Sequence, residues 1–359
     1  MPSNNLVYIA AAGSGKTTHL VEEALKNANK KIAIITYTIN NLNEIRNCIY
    51  LKLSYIPSNI IIQSWFSFLL TECVRPYQNF QYDEHRIESI EFYHGRSARF
   101  IAKSDIKYFL SEGKYIYTDK ISEFACLCDR LSKGLIINRL EEIYDAVYID
   151  EIQDLAGYDF DFLELLLESK LETIFVGDNR QATFSTNNSI KYKKFKGKNI
   201  IDLFKLWEKQ GKYFLNYMQN CYRCNQMICD LADSLYPEMP KTISCNKDRT
   251  GHDGNFIIKE KDVNKYLFIF KPVVLRYDIK TKYDDIIATN FGVSKGLTFD
   301  RVLIIPNGPI NKFLNTGELY YIEKSKPKLY VAITRAKYSV AFIYDGICAL
   351  KNTLDFNVI

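Results

Sequence analysis

Two short segments of the sequence carry residue types that bind and hydrolyse nucleoside triphosphates. The first, AAAGSGKTT at 10–18, lies between a short apolar run and an amphipathic stretch, a pattern that predicts strand, turn and helix. In such a turn glycine amides surround phosphate oxygens, a lysine reaches the β- and γ-phosphates, and the next hydroxyl suits Mg²⁺. The residues that we predict to contact the nucleotide are Ala12, Gly13, Ser14, Gly15, Lys16, Thr17 and Thr18.

The second segment, AVYIDEIQD at 146–154, places two carboxylates directly after a buried apolar run. Asp150 is predicted to hold Mg²⁺ together with Thr17, and Glu151 to orient or deprotonate the attacking water. An acidic pair at this point is also typical of a helix N-terminus, where negative charge is favourable. In a chain that also has Lys16, we interpret the pair as part of a nucleotide-hydrolysing site.

Composition limits the class of protein. The chain has 359 residues, of which 47% are apolar and 25% charged, with a net charge of +5. This predicts two globular domains, and the mild positive charge is compatible with a nucleic-acid partner without establishing one. No apolar run approaches the roughly 20 residues of a membrane span, so we predict no membrane contact and a cytoplasmic location.

Nine cysteines without regular spacing indicate a reducing compartment. Cys221, Cys224 and Cys229 form the tightest group and have metal-ligand spacing in part. Because no second pair completes a ligand set, we interpret them as ordinary buried cysteines.

The predicted elements form two α/β halves. Apolar runs rich in valine, isoleucine and tyrosine alternate with helical patterns, as in parallel sheets covered by helices. The first predicted domain comprises 1–72 and 143–200, the second 201–359, and the polar segment 73–142 is predicted to be a small helical insertion. A basic stretch, 185–198, is interpreted either as a solvated linker or as a phosphate-contacting loop.

Several further segments, in chain order, resemble the motifs of the UvrD/Rep/PcrA group of superfamily 1A helicases. DEIQD at 150–154 is similar to the DExxQD box of that group. The other segments that resemble its motifs are TYTINNLNEIRNCI from Thr36, IIQSWFSFLL from Ile61, VGDNRQATF from Val176, NCYRCNQMI from Asn220, VSKGLTFDRVLI from Val293 and LYVAITRAK from Leu329. Together they span most of the chain.

The resemblance implies two RecA-like P-loop NTPase domains with a small helical 1B-type insertion, ATP and Mg²⁺ as cofactors, and single-stranded DNA as partner. It further implies that Gln181 senses the γ-phosphate, that Arg223 and Arg335 reach it from the second domain, and that Gly296 contacts the nucleotide. Either arginine could instead be an ordinary surface residue. Thr38, Ser64 and Trp65 match the strand-contacting motifs, and Trp65 is either a base-stacking residue or a core tryptophan.

The sequence departs from this family at several motifs. No glutamine for an adenine-reading motif precedes the phosphate-binding loop. Thr186 and Asn187 stand where the family has a stacking tryptophan and an arginine, and Thr298 replaces a ribose-contacting glutamate. The space between the fourth and fifth motifs is too short for a 2B domain.

Two functions follow as expectations. The first is an ATP-dependent translocase or helicase on single-stranded DNA with 3′ to 5′ polarity, in DNA repair or antiviral defence. The second is an ATPase switch, stimulated by DNA or a protein partner, that regulates an associated nuclease or effector without unwinding. Some of the family's strand-contacting residues are missing, which favours the ATPase switch. The predicted hydrolytic residues are retained, which is compatible with both functions.

Overall fold

The computed structural model describes residues 5–93, 95–187, 189–195 and 199–356. The chain divides into two compact units, the first made of Met1–Ile9 and Lys16–Asn216, the second of Ala10–Gly15 and Tyr217–Ile359. The boundary predicted at residue 200 therefore lies inside the first unit. The physical reason is that residues after 200 are hydrogen-bonded to the first unit. Asn5 donates a 3.0 Å hydrogen bond to the Lys212 carbonyl. Lys212 in turn pairs with Glu168 at 2.7 Å.

The first unit contains the elements from β1 to β9 and from α1 to α7. The strands are β1 (Leu6–Ala10), β2 (Ile32–Thr36), β3 (Ile60–Ser64), β4 (Ser89–Glu91), β5 (Leu110–Ser111), β6 (Tyr115–Tyr117), β7 (Ala146–Ile149), β8 (Glu172–Gly177) and β9 (Phe214–Met218). The last residue of β1 and the last two of β9 are grouped with the second unit. The helices are α1 (Lys16–Lys26), α2 (Ile39–Leu53), α3 (Trp65–Phe68), α4 (Ile121–Leu131), α5 (Leu135–Ile143), α6 (Asp159–Glu168) and α7 (Ile200–Lys209).

The main sheet of the first unit has the strand order β3-β2-β7-β8-β1-β9. The first five of these strands run parallel to their neighbours. Two of the central strands, β2 and β7, are buried along their whole length, as is typical of parallel sheets covered on both faces. The carboxyl ends of β1, β7 and β8 consequently lie side by side at one edge.

The inserted segment is not wholly helical. Besides α4 and α5 it contains a three-stranded sheet in the order β4-β6-β5, with β4 and β6 parallel and β5 and β6 antiparallel. These strands are two or three residues long, too short to show an alternating pattern in the sequence. The prediction of a small helical insertion therefore differs from the structure at this sheet.

The second unit contains the remaining elements. The strands are β10 (Asn220–Cys221), β11 (Ile243–Ser244), β12 (Gly254–Ile258), β13 (Val273–Arg276), β14 (Thr289–Asn290), β15 (Phe299–Ile305), β16 (Ala336–Ile343) and β17 (Thr353–Asp355). The helices are α8 (Gln226–Ser234), α9 (Val263–Phe270), α10 (Gly308–Thr316) and α11 (Lys326–Ile333). A parallel sheet in the order β14-β13-β15-β16-β12-β17 forms its centre.

Each unit is thus an α/β unit built on a parallel sheet, which confirms the predicted fold class. Among the described residues, no helix combines the length and apolar character that crossing a bilayer requires. Part of the basic stretch, residues 188 and 196–198, lies outside the described residues.

Candidate nucleotide site and nucleic-acid interface

The predicted hydrolytic residues of the first unit come together at the carboxyl edge of its main sheet. Lys16 and Thr17 begin α1, Asp150 follows β7, and Asp178 follows β8. In open parallel sheets, ligands bind in the crevice at this edge.

Thr17 and Asp150 are joined directly. The Thr17 hydroxyl donates a 2.8 Å hydrogen bond to Oδ2 of Asp150, and the Glu151 backbone N–H donates to its Oδ1 at 2.8 Å. Asp150 is almost fully buried, at 2% exposure. Burial, and secondarily the neighbouring Glu151 carboxylate, raise the pKa of Asp150 to about 7, while Lys16 and Thr17 oppose the rise. A bound cation would stabilise the ionised form of this carboxyl group.

Lys16 and Glu151 face each other across the same site. Lys16 Nζ lies 4.0 Å from Oε1 of Glu151, and both side chains are only 12% exposed. Glu151 adopts a left-handed backbone conformation with φ of 60°, uncommon for a non-glycine residue. Strained backbone of this kind is typical of functional sites, where surrounding contacts hold it in place.

Gln153 is a site residue for which the sequence motif gave no role. Its side-chain amide donates a hydrogen bond to Oε2 of Glu151. Its carbonyl oxygen accepts a 3.0 Å hydrogen bond from the Asp178 backbone N–H. Gln153 thereby links the end of β7 to the end of β8.

The predicted γ-phosphate sensor Gln181 lies in the turn after β8. Its Nε2 donates a 2.9 Å hydrogen bond to Oδ2 of Asp178, and the guanidinium Nε of Arg180 donates to Oδ1 at 3.1 Å. All three side chains are buried. Neither Asp178 nor Arg180 was singled out from the sequence, although both stand beside Gln181 in the same motif.

The remaining residues of the phosphate-binding loop are grouped with the second unit. Gly13 and Gly15 have φ of +71° and +76°, the left-handed conformation that glycine permits. Ala12 donates a 3.3 Å hydrogen bond from its backbone N–H to the Tyr330 hydroxyl. Ser14 Oγ is buried without a hydrogen-bond partner among the described residues, whereas Thr18 is exposed.

The two predicted arginine fingers lie close together within the second unit. Arg223 donates a 3.1 Å hydrogen bond from Nη1 to the Thr334 carbonyl. Arg335 is buried, and donates from Nε to the Val331 carbonyl at 3.0 Å and from Nη1 to the Leu297 carbonyl at 3.2 Å. Arg335 is therefore not a surface arginine. Gly296 is exposed, with φ of +87°.

Two predicted DNA contacts cap helices. Thr38 accepts a 3.2 Å hydrogen bond from the Asn41 backbone N–H at the start of α2, and Ser64 accepts one of 3.1 Å from Ser67 at the start of α3. Thr38 follows β2 and Ser64 is the last residue of β3, so both lie at the carboxyl edge of the main sheet, and both are partly exposed. Each hydroxyl already accepts one hydrogen bond, and contact of these residues with DNA stays a prediction.

Trp65 occupies the core position that the sequence left open as its alternative. It is 1% exposed, and its Nε1 donates a 3.0 Å hydrogen bond to Oδ1 of Asp159. A ring so enclosed offers no face to a base, so base stacking by Trp65 is not supported.

Asp159 is the centre of a buried hydrogen-bond network. Its carboxylate also accepts from the Ser122 and Thr186 hydroxyls, from Asn187 Nδ2 at 3.2 Å, and from the Ala156 backbone N–H at 2.9 Å. Burial raises the pKa of Asp159, and the donors oppose the rise. Thr186 and Asn187 thus face inward and cannot perform the stacking that the family assigns to this stretch.

The cysteine group of the second unit is buried. The Cys224 backbone N–H donates a 3.3 Å hydrogen bond to Sγ of Cys221, and Cys229 packs in the same core. No cluster of three or more histidine, cysteine or acidic side chains suited to a metal ion occurs in the part of the chain that the structure describes.

Comparison with known proteins supports the class that the site defines. Residues 117–190, which contain Asp150, Glu151, Asp178 and Gln181, match the family model of the UvrD/REP helicase N-terminal domain. This match confirms the predicted resemblance to UvrD-like helicases. It also supports a nucleotide-hydrolysing enzyme of the helicase type.

Two solved structures are among those that match the chain. The crystal structure of arterivirus nonstructural protein 10, a helicase, has 13% identity and a TM-score of 0.48, with 95% of this chain and 59% of that chain covered. The complex of the same arterivirus protein with DNA has 14% identity and a TM-score of 0.47, with 96% and 61% covered. This chain thus spans about 60% of the length of those proteins. No curated protein sequence matches the chain.

Proposed function

We propose that this chain hydrolyses ATP and couples hydrolysis to movement along single-stranded DNA. The observation that carries the proposal is the cluster at the carboxyl edge of the first sheet. There Lys16 lies beside Glu151, and Thr17 is bonded to Asp150. A phosphate-binding lysine, a metal-binding carboxylate and a candidate general base are the minimal parts of such a site.

The residues present fit ATP and Mg²⁺. Asp150 and Thr17 offer the hard oxygen ligands that Mg²⁺ prefers, and Lys16 in the same unit supplies a positive charge for phosphate. Asp150 and Thr17 would hold the metal ion, which when bound supplies positive charge to neutralise the transferred phosphoryl group.

The other roles in hydrolysis belong to side chains of the protein itself. Lys16 binds the phosphates. Glu151 orients the attacking water and accepts its proton, and the Gln153 amide fixes the orientation of the Glu151 carboxylate. Gln153 acts through Glu151 and is therefore a positioning residue.

Hydrogen bonds connect the site to the segment 178–187 within the first unit. Gln153 binds the Asp178 N–H, and Gln181 binds the Asp178 side chain. Further along the same segment, the Thr186 N–H donates to the Asp154 carbonyl at 2.8 Å. A change of contacts at the γ-phosphate would therefore alter the hydrogen bonds of residues 178–187.

The finer features of the proposal come from the family resemblance. They are 3′ to 5′ polarity, γ-phosphate contacts from Arg223 and Arg335, a nucleotide contact at Gly296, and a role in DNA repair or antiviral defence. The partly exposed helix caps Thr38 and Ser64 remain the proposed DNA contacts at the sheet edge. The proposed location of the protein is the cytoplasm.

The test is steady-state ATP hydrolysis by the purified chain with and without single-stranded DNA. Low salt is used first because added salt weakens phosphate contacts steeply. We expect single strands to raise the rate many-fold, and Glu151→Gln to abolish hydrolysis. Glu22→Gln is the matched control, because Glu22 forms an exposed pair with Lys52 and such pairs contribute little. If single-stranded DNA does not change the hydrolysis rate at low or at moderate salt, the proposed movement along DNA is wrong.

One observation favours a second candidate, an ATPase switch that regulates a nuclease or effector partner. Thr186 and Asn187 are engaged with Asp159, so one strand-gripping device of the family is missing. Unwinding of a 3′-tailed duplex by the isolated chain separates the two candidates. Efficient unwinding would remove the need for a partner, whereas DNA-stimulated hydrolysis without unwinding would favour the switch.

A further inference from the structure

A cavity of about 210 Å³ in the first unit is walled by aromatic side chains from three separate segments. Tyr37 follows β2, Phe66 belongs to α3, and Phe92 and Tyr93 follow β4 of the inserted segment. Residues 185–187 form another part of the wall.

The two aromatic residues of the insertion are exposed to solvent. Phe92 is 74% exposed and Tyr93 51%. Phe92 touches Phe66 edge to face, with ring centroids 6.2 Å apart, and Phe66 touches Tyr37 at 5.7 Å. Tyr93 meets Tyr117 edge to face at 6.1 Å. Edge-to-face contacts of this kind stabilise the positions of the rings, and the exposed part of Phe92 and Tyr93 is accessible to a ligand.

The chemistry of the cavity selects a nucleobase over a phosphate. Its charged lining residue is Asp119, a carboxylate that accepts hydrogen bonds of 3.0 and 2.5 Å from the N–H and hydroxyl of Ser97. A carboxylate repels phosphate, whereas aromatic faces stack on any base. A cation is available for the backbone, since Arg99 Nη2 lies 3.8 Å from where a Cβ on Gly95 would be, and Gly95 lines the cavity.

We propose that Phe92 and Tyr93 stack on a base of the bound single strand and replace the stacking residue that the segment 185–187 lacks. The inference rests on the proposed function and assigns a strand-contacting role to the inserted segment. Thr186 and Asn187, held inward by Asp159, then form the polar wall against which the base lies.

The experiment measures binding of a fluorescein-labelled oligothymidylate by anisotropy. Phe92→Leu and Tyr93→Leu keep apolar bulk and remove the ring face. Because one stacked base contributes about 1–3 kcal/mol, we expect affinity to fall about tenfold or more in each variant. Phe100→Leu is the control, since Phe100 lies in the same segment, is 100% exposed and does not line the cavity. Thermal midpoints verify that each variant is folded.

A second oligonucleotide, which has abasic sites, tests whether the aromatic residues contact the base. Replacing the bases by abasic sites should weaken binding to the unchanged protein more than binding to Phe92→Leu, because the variant has already lost the contact. The slope of affinity against salt should stay the same, because stacking neutralises no phosphate.

The outcomes separate the two levels of the proposal. Wild-type affinity in both leucine variants, with normal binding by the unchanged protein, would overturn the stacking role alone. Failure of the unchanged protein to bind any single strand would overturn the proposed function and the stacking role together.

Discussion

The Thr17 hydroxyl donates a 2.8 Å hydrogen bond to Oδ2 of Asp150, joining the start of α1 to the end of β7. This bond places two oxygen ligands of the proposed metal ion side by side. Thr17→Val removes the hydroxyl with little change of shape, and Thr17→Ser retains it. Because a hydrogen bond to a charged group contributes about 1.5–3 kcal/mol, we expect the valine variant to hydrolyse ATP about 10- to 100-fold more slowly.

Hydrolysis rates measured across a Mg²⁺ titration check this prediction. The serine variant should remain close to the unchanged protein. Equal activity of all three proteins at limiting Mg²⁺ would mean that Thr17 does not contribute to the metal site.

Gly177 is required by the position of Gln153. A Cβ at Gly177 would lie 2.4 Å from Oε1 of Gln153 and 2.7 Å from Cγ1 of Ile152, closer than such atoms approach in proteins. Gly177→Ala should displace Gln153 from Glu151 and Asp178. We expect slower hydrolysis together with a loss of about 1–3 kcal/mol in unfolding free energy, the usual cost of overpacking.

Gly308→Ala serves as the control for this substitution. Gly308 begins α10 and has open space where its Cβ would be. Alanine favours the helix there, so stability should be unchanged or slightly increased. Urea denaturation and steady-state hydrolysis measure both effects, and a fully active, stable Gly177→Ala protein would contradict the positioning role of Gln153.

The strands, and the position of the proposed hydrolytic residues at their ends, could be predicted because the signals are local. Lys16 and Asp150 each follow an apolar run that forms a buried strand, and parallel strands bring their carboxyl ends together. The bridge from Gln153 to Asp178 joins two motifs 25 residues apart, and spacing alone does not show which way an amide points.

Long-range side-chain pairing explains what the sequence did not show about Trp65. Its partner Asp159 is 94 residues away, at the start of α6. Thr186 and Asn187 bind the same carboxylate, a long-range pairing that only the folded chain reveals. The aromatic cavity likewise needs the short strand β4, whose three residues carry no recognisable pattern.

Trp65→Phe distinguishes the core role of Trp65 from a base-stacking role. The substitution leaves a buried carboxylate with one donor fewer, so we expect a loss of about 1–3 kcal/mol in unfolding free energy with unchanged affinity for single strands. Trp207→Phe is the control, since Trp207 is also buried and the described residues show no bond from its indole to a carboxylate. Unchanged stability with weakened strand binding would instead place Trp65 at the nucleic acid.

His252 predicts a pH dependence of stability in the second unit. Its ring is stacked between Phe256 and Phe270 at centroid distances of 3.9 and 3.8 Å, and its Nε2 lies 3.0 Å from the Tyr266 hydroxyl. Burial, and then the positive charge of Arg301, lower the pKa of His252 to about 4.

The sign of the pH effect follows from proton uptake. Between pH 6.5 and about 4 the unfolded chain binds a proton at His252 that the folded chain does not, so unfolding free energy falls as pH falls through this window. Above pH 6.5 the imidazole is neutral in both states and contributes no slope. His252→Phe should flatten the dependence in this window, and His85→Phe, at an exposed histidine, should not. Urea denaturation at several pH values measures the slopes, and parallel profiles for the unchanged protein and His252→Phe would show that His252 titrates alike in both states.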